Sequence, residues 1–195
     1  MRWAAWMRSK EGIQSSRQRL DRFRDSYDKG RGRVHQALWF ATLNLLFRQW
    51  WLPPAVRPPL LRMFGAEVGN DVRIRHGVRV HWPWKLRIGN SVWIGEGAWL
   101  LNLADVVIGD NVCISQEAVI CTGGHDPRDE SFAFANGEIV IESGAWLGMR
   151  SFVRPGSQIG ADACIAACTT APRVVAENVI VRASGETNVV AQRYE

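Results

Sequence analysis

Aliphatic residues recur at every sixth position through much of the chain. The series is Val68, Ile74, Val80; Ile88, Ile94, Leu100; Ile108, Ile114, Ile120; and, after an interruption, Ile141, Leu147, Val153, Ile159 and Ile165. A period of six matches neither the 3.6-residue period of a helix nor the two-residue period of a half-buried strand. It is typical of short strands joined by tight corners and wound into a solenoid, in which stacked coils bury the repeated side chains.

The phase of the repeat gives the length of one coil. It slips by two residues between Val80 and Ile88 and again between Leu100 and Ile108, so three hexads plus two residues make a coil of 20. Small or aliphatic side chains usually stand four positions later, and we expect them to be buried as well: Val92, Ala98, Val112, Ala118, Ala145, Ser151, Ser157, Ala163 and Thr169. A Gly often follows the aliphatic residue, which suits a corner with positive φ or a closely packed backbone.

The charge is concentrated at the N-terminus. The chain has 24 basic and 19 acidic side chains, a net charge of +5. Residues 1–35 contain ten Lys or Arg against four Asp or Glu, whereas residues 36–195 contain fourteen against fifteen. A basic surplus confined to one arm argues against a basic DNA-binding domain, so no nucleic-acid partner is expected.

The sequence predicts three parts. Residues 1–59 form a basic arm and a Trp-rich amphipathic helix, residues 60–171 form the solenoid with a loop at about 124–139, and residues 172–195 form a tail. The helix is predicted from Val34 to Leu52 and carries Trp39, Trp50 and Trp51. Its tryptophans and the neighbouring cations suit a peripheral membrane contact, and equally a helix that packs on the solenoid.

The most apolar stretch, residues 37–47, is too short to span a bilayer core of about 30 Å. No small-residue cleavage site follows it, so we predict neither a transmembrane span nor secretion. The expected location is the cytoplasm, with the arm as a candidate membrane contact.

Several segments resemble one family. Such hexads, together with Leu61–Gly69, His81–Gly89, Ile108–Gln116 and Cys121–Asp126, resemble the hexapeptide-repeat acyltransferases, and within them the colanic-acid-biosynthesis type of sugar O-acetyltransferase. The resemblance implies a mainly β fold, a left-handed parallel β-helix with an N-terminal helical extension. It also implies a homotrimer with sites between subunits, acetyl-CoA as co-substrate, and a saccharide or lipid-linked saccharide as acceptor.

The repeat is interrupted once, between Gly124 and Ile139, and the interruption begins with Gly-Gly-His125-Asp126-Pro. Histidine is suited to take a proton from a hydroxyl near neutral pH. In the family, the matching histidine is the general base for direct attack of the acceptor on acetyl-CoA, which makes His125 the candidate catalytic residue. Asp126 could orient His125, but we favour a turn-forming role for it.

Candidate acceptor-binding residues come from the preceding coils. Asn102 and Asp105 lie about one coil before His125, so either could bind the sugar or support the histidine, while Asp105 is equally well explained as a corner residue. Trp84, in Trp82-Pro83-Trp84, could provide a sugar platform or a packing contact.

Candidate donor-binding residues follow from the resemblance: Trp146, Gly148, Ala166, Thr170 and Arg173. The chain departs from the family near its end, because Ala171 stands where a CoA-binding Lys is usual, and residues 184–188 lack the usual Gly-x-Pro-Ala-Lys. Arg173 or Arg182 could bind the phosphates instead. This departure keeps open an alternative, a non-catalytic β-helix scaffold or assembly subunit with a degenerate CoA site.

No metal site is expected. The four cysteines form no C-x-x-C pair, and none has a histidine at zinc-finger spacing. Some β-helices are zinc carbonic anhydrases, which need three neighbouring histidines. His76 and His81 belong to an early coil, far along the axis from His125, and His35 lies outside the repeat.

Overall fold

The protein is described here from a computed structural model, which covers residues 18–24, 26–184 and 187–193. Short strands form three sheets, and each sheet extends along the common axis of the solenoid. Sheet 1 contains β1 (Glu67–Val68), β4 (Leu86–Ile88), β7 (Val106–Ile108), β10 (Ile139–Ile141), β13 (Gln158–Ile159) and β15 (Val174–Val175). Sheet 2 contains β2 (Arg73–Ile74), β5 (Trp93–Ile94), β8 (Cys113–Ile114), β11 (Trp146–Leu147), β14 (Cys164–Ile165), β16 (Val179–Ser184) and β17 (Thr187–Gln192). Sheet 3 contains β3 (Arg79–Val80), β6 (Trp99–Leu101), β9 (Val119–Cys121) and β12 (Phe152–Val153).

The register confirms the predicted parallel β-helix. Val68 pairs with Ile88 and Ile88 with Ile108, which is the 20-residue coil read from the repeat. Beyond the interruption the coils shorten, because Ile141 pairs with Ile159, 18 residues on. Successive strands of one coil contribute to different sheets, so each coil is a triangle with one strand on each side.

The two residue sets of the repeat form the core. The aliphatic residues from Ile74 to Ile165 are at most 4% exposed, and the nine small residues four positions later are at most 2% exposed. The glycines after the aliphatic residues serve close packing, because a Cβ on Gly109 would lie 2.6 Å from the backbone nitrogen of Ser143 in the next coil. Positive φ falls two residues later instead, at Asp71, Ser91 and Asn111.

The N-terminal helices cover the first coil. Helix α1 (Arg33–Thr42) runs into a π-helical turn (Leu43–Phe47), and α2 (Arg57–Met63) leads into β1. Trp39, Leu43 and Phe47 are buried at four-residue spacing, and the Trp39 indole donates to the carbonyl of Val80 at 3.0 Å. Of the two alternatives that the sequence leaves open for this helix, packing on the solenoid is therefore observed for its buried face. Three 3₁₀ turns complete the helical segments, at Leu20–Arg22, Pro54–Val56 and Pro83–Lys85.

The predicted helix over residues 34–52 is wrong for its last five residues. The fully buried Arg57 guanidinium donates to the carbonyls of Phe47 (2.8 Å) and Gln49 (2.6 Å), which pins the chain in a turn at this point. Trp50 and Trp51 consequently project outward and are 79% and 52% exposed. In the part of the chain described, no helix is long and apolar enough to cross a membrane.

The two ends of the chain differ from the predicted division. Of the predicted arm, residues 1–17 and 25 lie outside the described residues. Tyr27 and Lys29 accept hydrogen bonds from the indoles of Trp82 and Trp84 on the solenoid, and the Arg19 amide donates to the carbonyl of Glu130, in the loop that interrupts the repeat, at 2.6 Å. The stacking also continues past the predicted boundary at residue 171. Val175 pairs with Ile159 and Val181 with Ile165, before β16 and β17 close the end as an antiparallel hairpin.

His81 makes the stability of this fold depend on pH. It packs between Phe40 (5.6 Å) and Trp82 (4.4 Å between ring centroids), and burial, with a smaller contribution from the charge of Lys29, lowers its pKa from 6.5 to about 4. As the pH falls, His81 therefore takes up a proton in the unfolded chain before it does so in the folded protein. The contribution of neutral His81 to the free energy of unfolding is fully present above about pH 6.5 and is lost as the pH falls toward 4.

From pH 7 to pH 5 we expect the wild type to lose up to about 2 kcal/mol more free energy of unfolding than the His81→Gln variant. Urea unfolding of both proteins at the two pH values measures the difference. An identical pH dependence in the two proteins would contradict this role of His81.

Candidate active site

His125 lies on the His125 loop, residues 122–138, which leaves the solenoid at the corner between sheets 3 and 1. The loop folds back on itself as a small hairpin, in which Ala135 donates to the carbonyl of Gly124 at 2.8 Å and His125 forms a bridge with Phe134. Gly124 suits this position, because a Cβ would lie 3.0 Å from the carbonyl oxygen of Ala135 and would press on the facing arm of the hairpin. The hairpin thus gives the histidine a defined backbone position on a projecting segment.

The imidazole of His125 is held in one tautomer. Its Nδ1 lies 2.7 Å from the carbonyl oxygen of Phe132, and because a carbonyl can only accept, Nδ1 carries the proton. In the neutral ring the lone pair is then on Nε2. The side chain is half-buried, so this nitrogen sits in the arrangement expected of a general base.

Aromatic side chains surround His125, and sequence reasoning missed them. Its ring stacks on Phe132 (3.8 Å, 10° between planes) and Phe134 (4.8 Å, 26°), and the edge of Phe23 approaches at 5.8 Å. Phe132 has a φ of 57°, in the left-handed region that a bulky residue adopts only under constraint, and this places its carbonyl on Nδ1. The Phe-Ala-Phe alternation at residues 132–134 was the available signal. Phe23 lies in the N-terminal arm, where no pattern in the sequence indicated a contact with His125.

Asn102 was a candidate sugar ligand, and the structure gives it another role. Its side chain is fully buried, and its amide oxygen accepts from the backbone amides of His81 (3.1 Å) and Trp82 (3.0 Å). Its amide nitrogen donates to the carbonyls of Trp82 (2.6 Å) and Lys85 (3.2 Å). All four hydrogen-bonding positions are used within the turn at residues 81–85, so none remains for a substrate.

Trp84 makes the packing contact that was the alternative to a sugar platform. Its indole stacks on Trp82 at 4.8 Å and donates to the Lys29 carbonyl at 2.6 Å, which fixes the N-terminal arm on the solenoid. Trp82 itself is buried and donates to the Tyr27 hydroxyl at 3.1 Å.

The expected stacking of Asp105 on His125 is not found. Val106 pairs with Ile139, so the residue above Asp105 is Glu138, because the His125 loop takes its residues out of the stack. Asp105 is exposed at a corner, and its role toward a substrate stays a prediction. Asp126 forms the turn that the sequence favours, since its carboxylate accepts from the amide of Arg128 at 2.9 Å.

A groove, here called the axial groove, runs along the outer face of sheet 2. One row of outward residues follows the strand pairing, from Arg73 through Trp93, Cys113 and Trp146 to Cys164. Trp146 stands midway and donates to the Ser115 hydroxyl at 2.9 Å. Two cavities, of about 450 Å³ toward the N-terminal end and about 420 Å³ toward the C-terminal end, share Trp146, Ser115 and Gln116 and are therefore adjacent.

The structure brings together three of the five predicted donor residues. Trp146, Gly148 and Ala166 line the C-terminal half of the axial groove, where the floor consists of backbone and small side chains. A Cβ on Gly148 would lie 2.6 Å from the amide of Ala167, so this close approach requires Gly. Thr170 stacks on Phe152 of sheet 3, and Arg173 precedes β15 of sheet 1, so these two line other faces.

The described residues contain no group of three His, Cys, Asp or Glu side chains that could hold a metal ion. The cysteines are free thiols. Cys113 lies in the axial groove, and burial raises the pKa of its thiol, which keeps it in the neutral, poorly nucleophilic form.

Comparison with known proteins agrees with this geometry. No family model matches the sequence. The hexapeptide-repeat acetyltransferase VCA0836 of Vibrio cholerae superposes with a TM-score of 0.75 at 21% identity, over 90% of this chain and 98% of that one. WcaF, a putative colanic acid biosynthesis acetyltransferase of Escherichia coli, is 34% identical over 170 residues, 86% of this chain and 92% of that protein. The chain belongs to the hexapeptide-repeat acetyltransferases.

Two further acetyltransferases support the family assignment. The galactoside O-acetyltransferase of Escherichia coli is 28% identical over 129 residues, 64% of this chain and 63% of that protein. A galactoside acetyltransferase solved with coenzyme A shares the fold, with a TM-score of 0.73 at 17% identity over 83% of this chain and 82% of that one. The predicted family, and with it the predicted class of enzyme, an acyltransferase, are confirmed.

Proposed function

We propose that this acetyltransferase moves acetyl from acetyl-CoA to a hydroxyl of a saccharide in exopolysaccharide biosynthesis, with His125 as general base. The observation that carries the proposal is the hydrogen bond from Nδ1 of His125 to the Phe132 carbonyl, which leaves Nε2 as the free base. The similarity to a colanic acid biosynthesis acetyltransferase over most of the chain supports the substrate class.

The reaction is a direct transfer. The acceptor oxygen attacks the thioester carbonyl while Nε2 of His125 takes the hydroxyl proton. The new C–O bond forms, the C–S bond breaks, and the CoA thiolate leaves and recovers a proton from His125. An acyl-enzyme is not needed, and the neutral thiol of Cys113 in the axial groove supports a route without one.

The C-terminal half of the axial groove suits the donor. Pantetheine is a narrow, extended chain, and a groove floored by Gly148 and Ala166 lets it approach the backbone closely. Trp146, which is 44% exposed, offers a flat apolar wall at the midpoint, where the thioester would lie.

The complete site needs a second copy of the chain. In a triangular coil, the corner between sheets 3 and 1 lies opposite sheet 2, so the His125 loop of one protomer is remote from its own axial groove. We therefore place each active site between the groove of one protomer and the His125 loop of its neighbour, in a homotrimer.

The direct test measures the release of CoA thiol from acetyl-CoA in the presence of a panel of saccharides, and mass spectrometry identifies the products. We expect acceptor-dependent release of CoA thiol and a saccharide that gains one acetyl group. Binding of CoA without transfer to any saccharide would favour the scaffold alternative.

A membrane contact at the N-terminal end is a second part of the proposal. Leu45, Leu46, Trp50 and Trp51, here called the apolar tip, are all exposed, and Arg57 holds the turn that presents the two tryptophans. Residues 30–80 carry eight arginines, of which only Arg57 is buried, against only Glu67 and Asp71. Exposed indoles beside a cationic surface suit the headgroup region of an anionic membrane, where a lipid-linked acceptor would be found.

Replacing both exposed tryptophans tests the membrane contact. We expect Trp50→Ser/Trp51→Ser to bind vesicles of phosphatidylcholine and phosphatidylglycerol at least about tenfold more weakly, because two interfacial indoles are lost. Cosedimentation measures the partition coefficient. Val174→Ser is the matched control, since Val174 is exposed on the last coil, at the far end of the solenoid. Equal binding of the double variant and the wild type would overturn this assignment.

A further inference from the structure

The N-terminal half of the axial groove has no role in donor binding as proposed above. It is a cavity of about 450 Å³, bounded by Arg73, Arg75, Trp93, Ser115 and Trp146. A cavity of this size accommodates a saccharide unit. Because it meets the donor half at Trp146 and Ser115, a ligand in it would lie end to end with the donor, on the far side of the thioester.

The cavity is cationic and its charge is not neutralised. None of the residues that line it is acidic. Among the described residues, the ion pairs include neither Arg73 nor Arg75, although other arginines on the same solenoid do pair, as Arg87 does with Glu67. The carboxylate of Glu96, which follows the lining residue Gly95, is 3.0 Å from Nε2 of His76.

The arginines stand beside an exposed aromatic surface. The Arg73 guanidinium lies over the Trp93 ring, 5.0 Å from its centroid, and this contact restrains both side chains. Trp93 and Trp146 are 54% and 44% exposed, although indoles of this size are usually buried. Sugar rings pack on indole faces, whereas the guanidinium fork of arginine matches the oxygens of a phosphate.

We infer that this half of the groove binds the acceptor, and that Arg73 and Arg75 select a saccharide that carries a phosphate or diphosphate. The inference rests on the proposed function and adds the chemical class of its acceptor. A phosphate on the reducing end is held by the two arginines, its sugar ring lies on Trp93, and the hydroxyl to be acetylated reaches the thioester near Trp146. An uncharged oligosaccharide would leave both guanidinium groups without a partner.

Calorimetry with CoA-saturated protein tests the inference without requiring turnover. The probes are α-D-glucose 1-phosphate and the neutral methyl α-D-glucoside. We expect the phosphate to bind at least about tenfold more tightly, as one or two charge-assisted hydrogen bonds provide. Arg73→Gln/Arg75→Gln should abolish that preference, whereas Arg87→Gln, which removes an exposed arginine from sheet 1, should retain it.

Three outcomes would overturn the inference: no preference for the phosphate in the wild type, an unchanged preference in the double variant, or a loss of CoA affinity in that variant with the preference intact. The last result would assign the arginines to the donor phosphates. These outcomes differ from a failure of the proposed function. In that case acetyl transfer to saccharides would be absent, while the wild type would still prefer the phosphate and the double variant would still lose that preference.

Discussion

His125→Ala is expected to lower kcat for acetyl transfer by about 10²- to 10⁴-fold, the range typical of a positioned general base. The loss has a specific physical origin, since Nε2 is the atom left free by the hydrogen bond from Nδ1 to the Phe132 carbonyl. Because the ring contacts the loop and not the axial groove, KM for acetyl-CoA should change by no more than a few fold. Steady-state kinetics with thiol detection measures both quantities.

The matched control is His76→Gln. His76 is half-buried on the first coil and pairs with Glu96; it follows Arg75 in the chain, but it does not itself line the axial groove and lies outside the His125 loop. This variant should keep full activity. If His125→Ala transferred acetyl at the wild-type rate, the mechanism proposed for this protein would be wrong.

The His125→Ala variant also tests whether the active site lies between two protomers. Ala166→Trp should block the donor groove, because Ala166 lines its C-terminal half and is only partly buried. Mixing unfolded His125→Ala and Ala166→Trp chains and refolding them should restore about a quarter of the wild-type activity, since random assembly of a cyclic oligomer joins an intact loop to an intact groove at that frequency. No recovery from a mixture that reassembles would mean that each site is built from one chain.

The repeat in the sequence was sufficient to predict the solenoid. A six-residue period places Ile88, Ile94 and Leu100 on three sides of one coil, and their burial follows from stacking alone. The interruption after Gly124 likewise predicts a projecting loop with His125 at its start. Both inferences need only the order of residues along the chain.

Contacts made by segments outside the repeat could not be predicted in this way. Counting 20 residues back from His125 gives Asp105, but the loop leaves the stack after Thr122, so that offset no longer measures distance. Phe23 reaches His125 from more than a hundred residues away, across a segment with no periodicity. The Trp82–Trp84 pair was open to two interpretations because burial against Tyr27 and Lys29 leaves no local pattern.

Asn102→Ala is expected to destabilise the protein by about 3–5 kcal/mol, the largest effect on stability that we predict. The variant leaves the amide of Trp82 and the carbonyl of Lys85 without a partner. The amide of His81 still donates to the Leu100 carbonyl (3.0 Å), and the carbonyl of Trp82 still accepts from the Lys85 amide (3.1 Å). An unpaired buried polar group costs about 1–3 kcal/mol, so the loss of partners for these two groups accounts for the expected destabilisation. For a chain of this length, the midpoint of thermal unfolding should fall by about 10 °C or more.

Asn70→Ala is the matched control, because Asn70 is an exposed corner residue of the solenoid and should change stability by no more than about 0.5 kcal/mol. Asn102→Asp separates the two halves of the hydrogen-bond set, since a carboxylate still accepts from the two amides but cannot donate to the two carbonyls. It should be destabilised as well. If Asn102 bound the acceptor, the Ala variant would instead keep the wild-type free energy of unfolding and raise KM for the saccharide, and that result would return Asn102 to the active site.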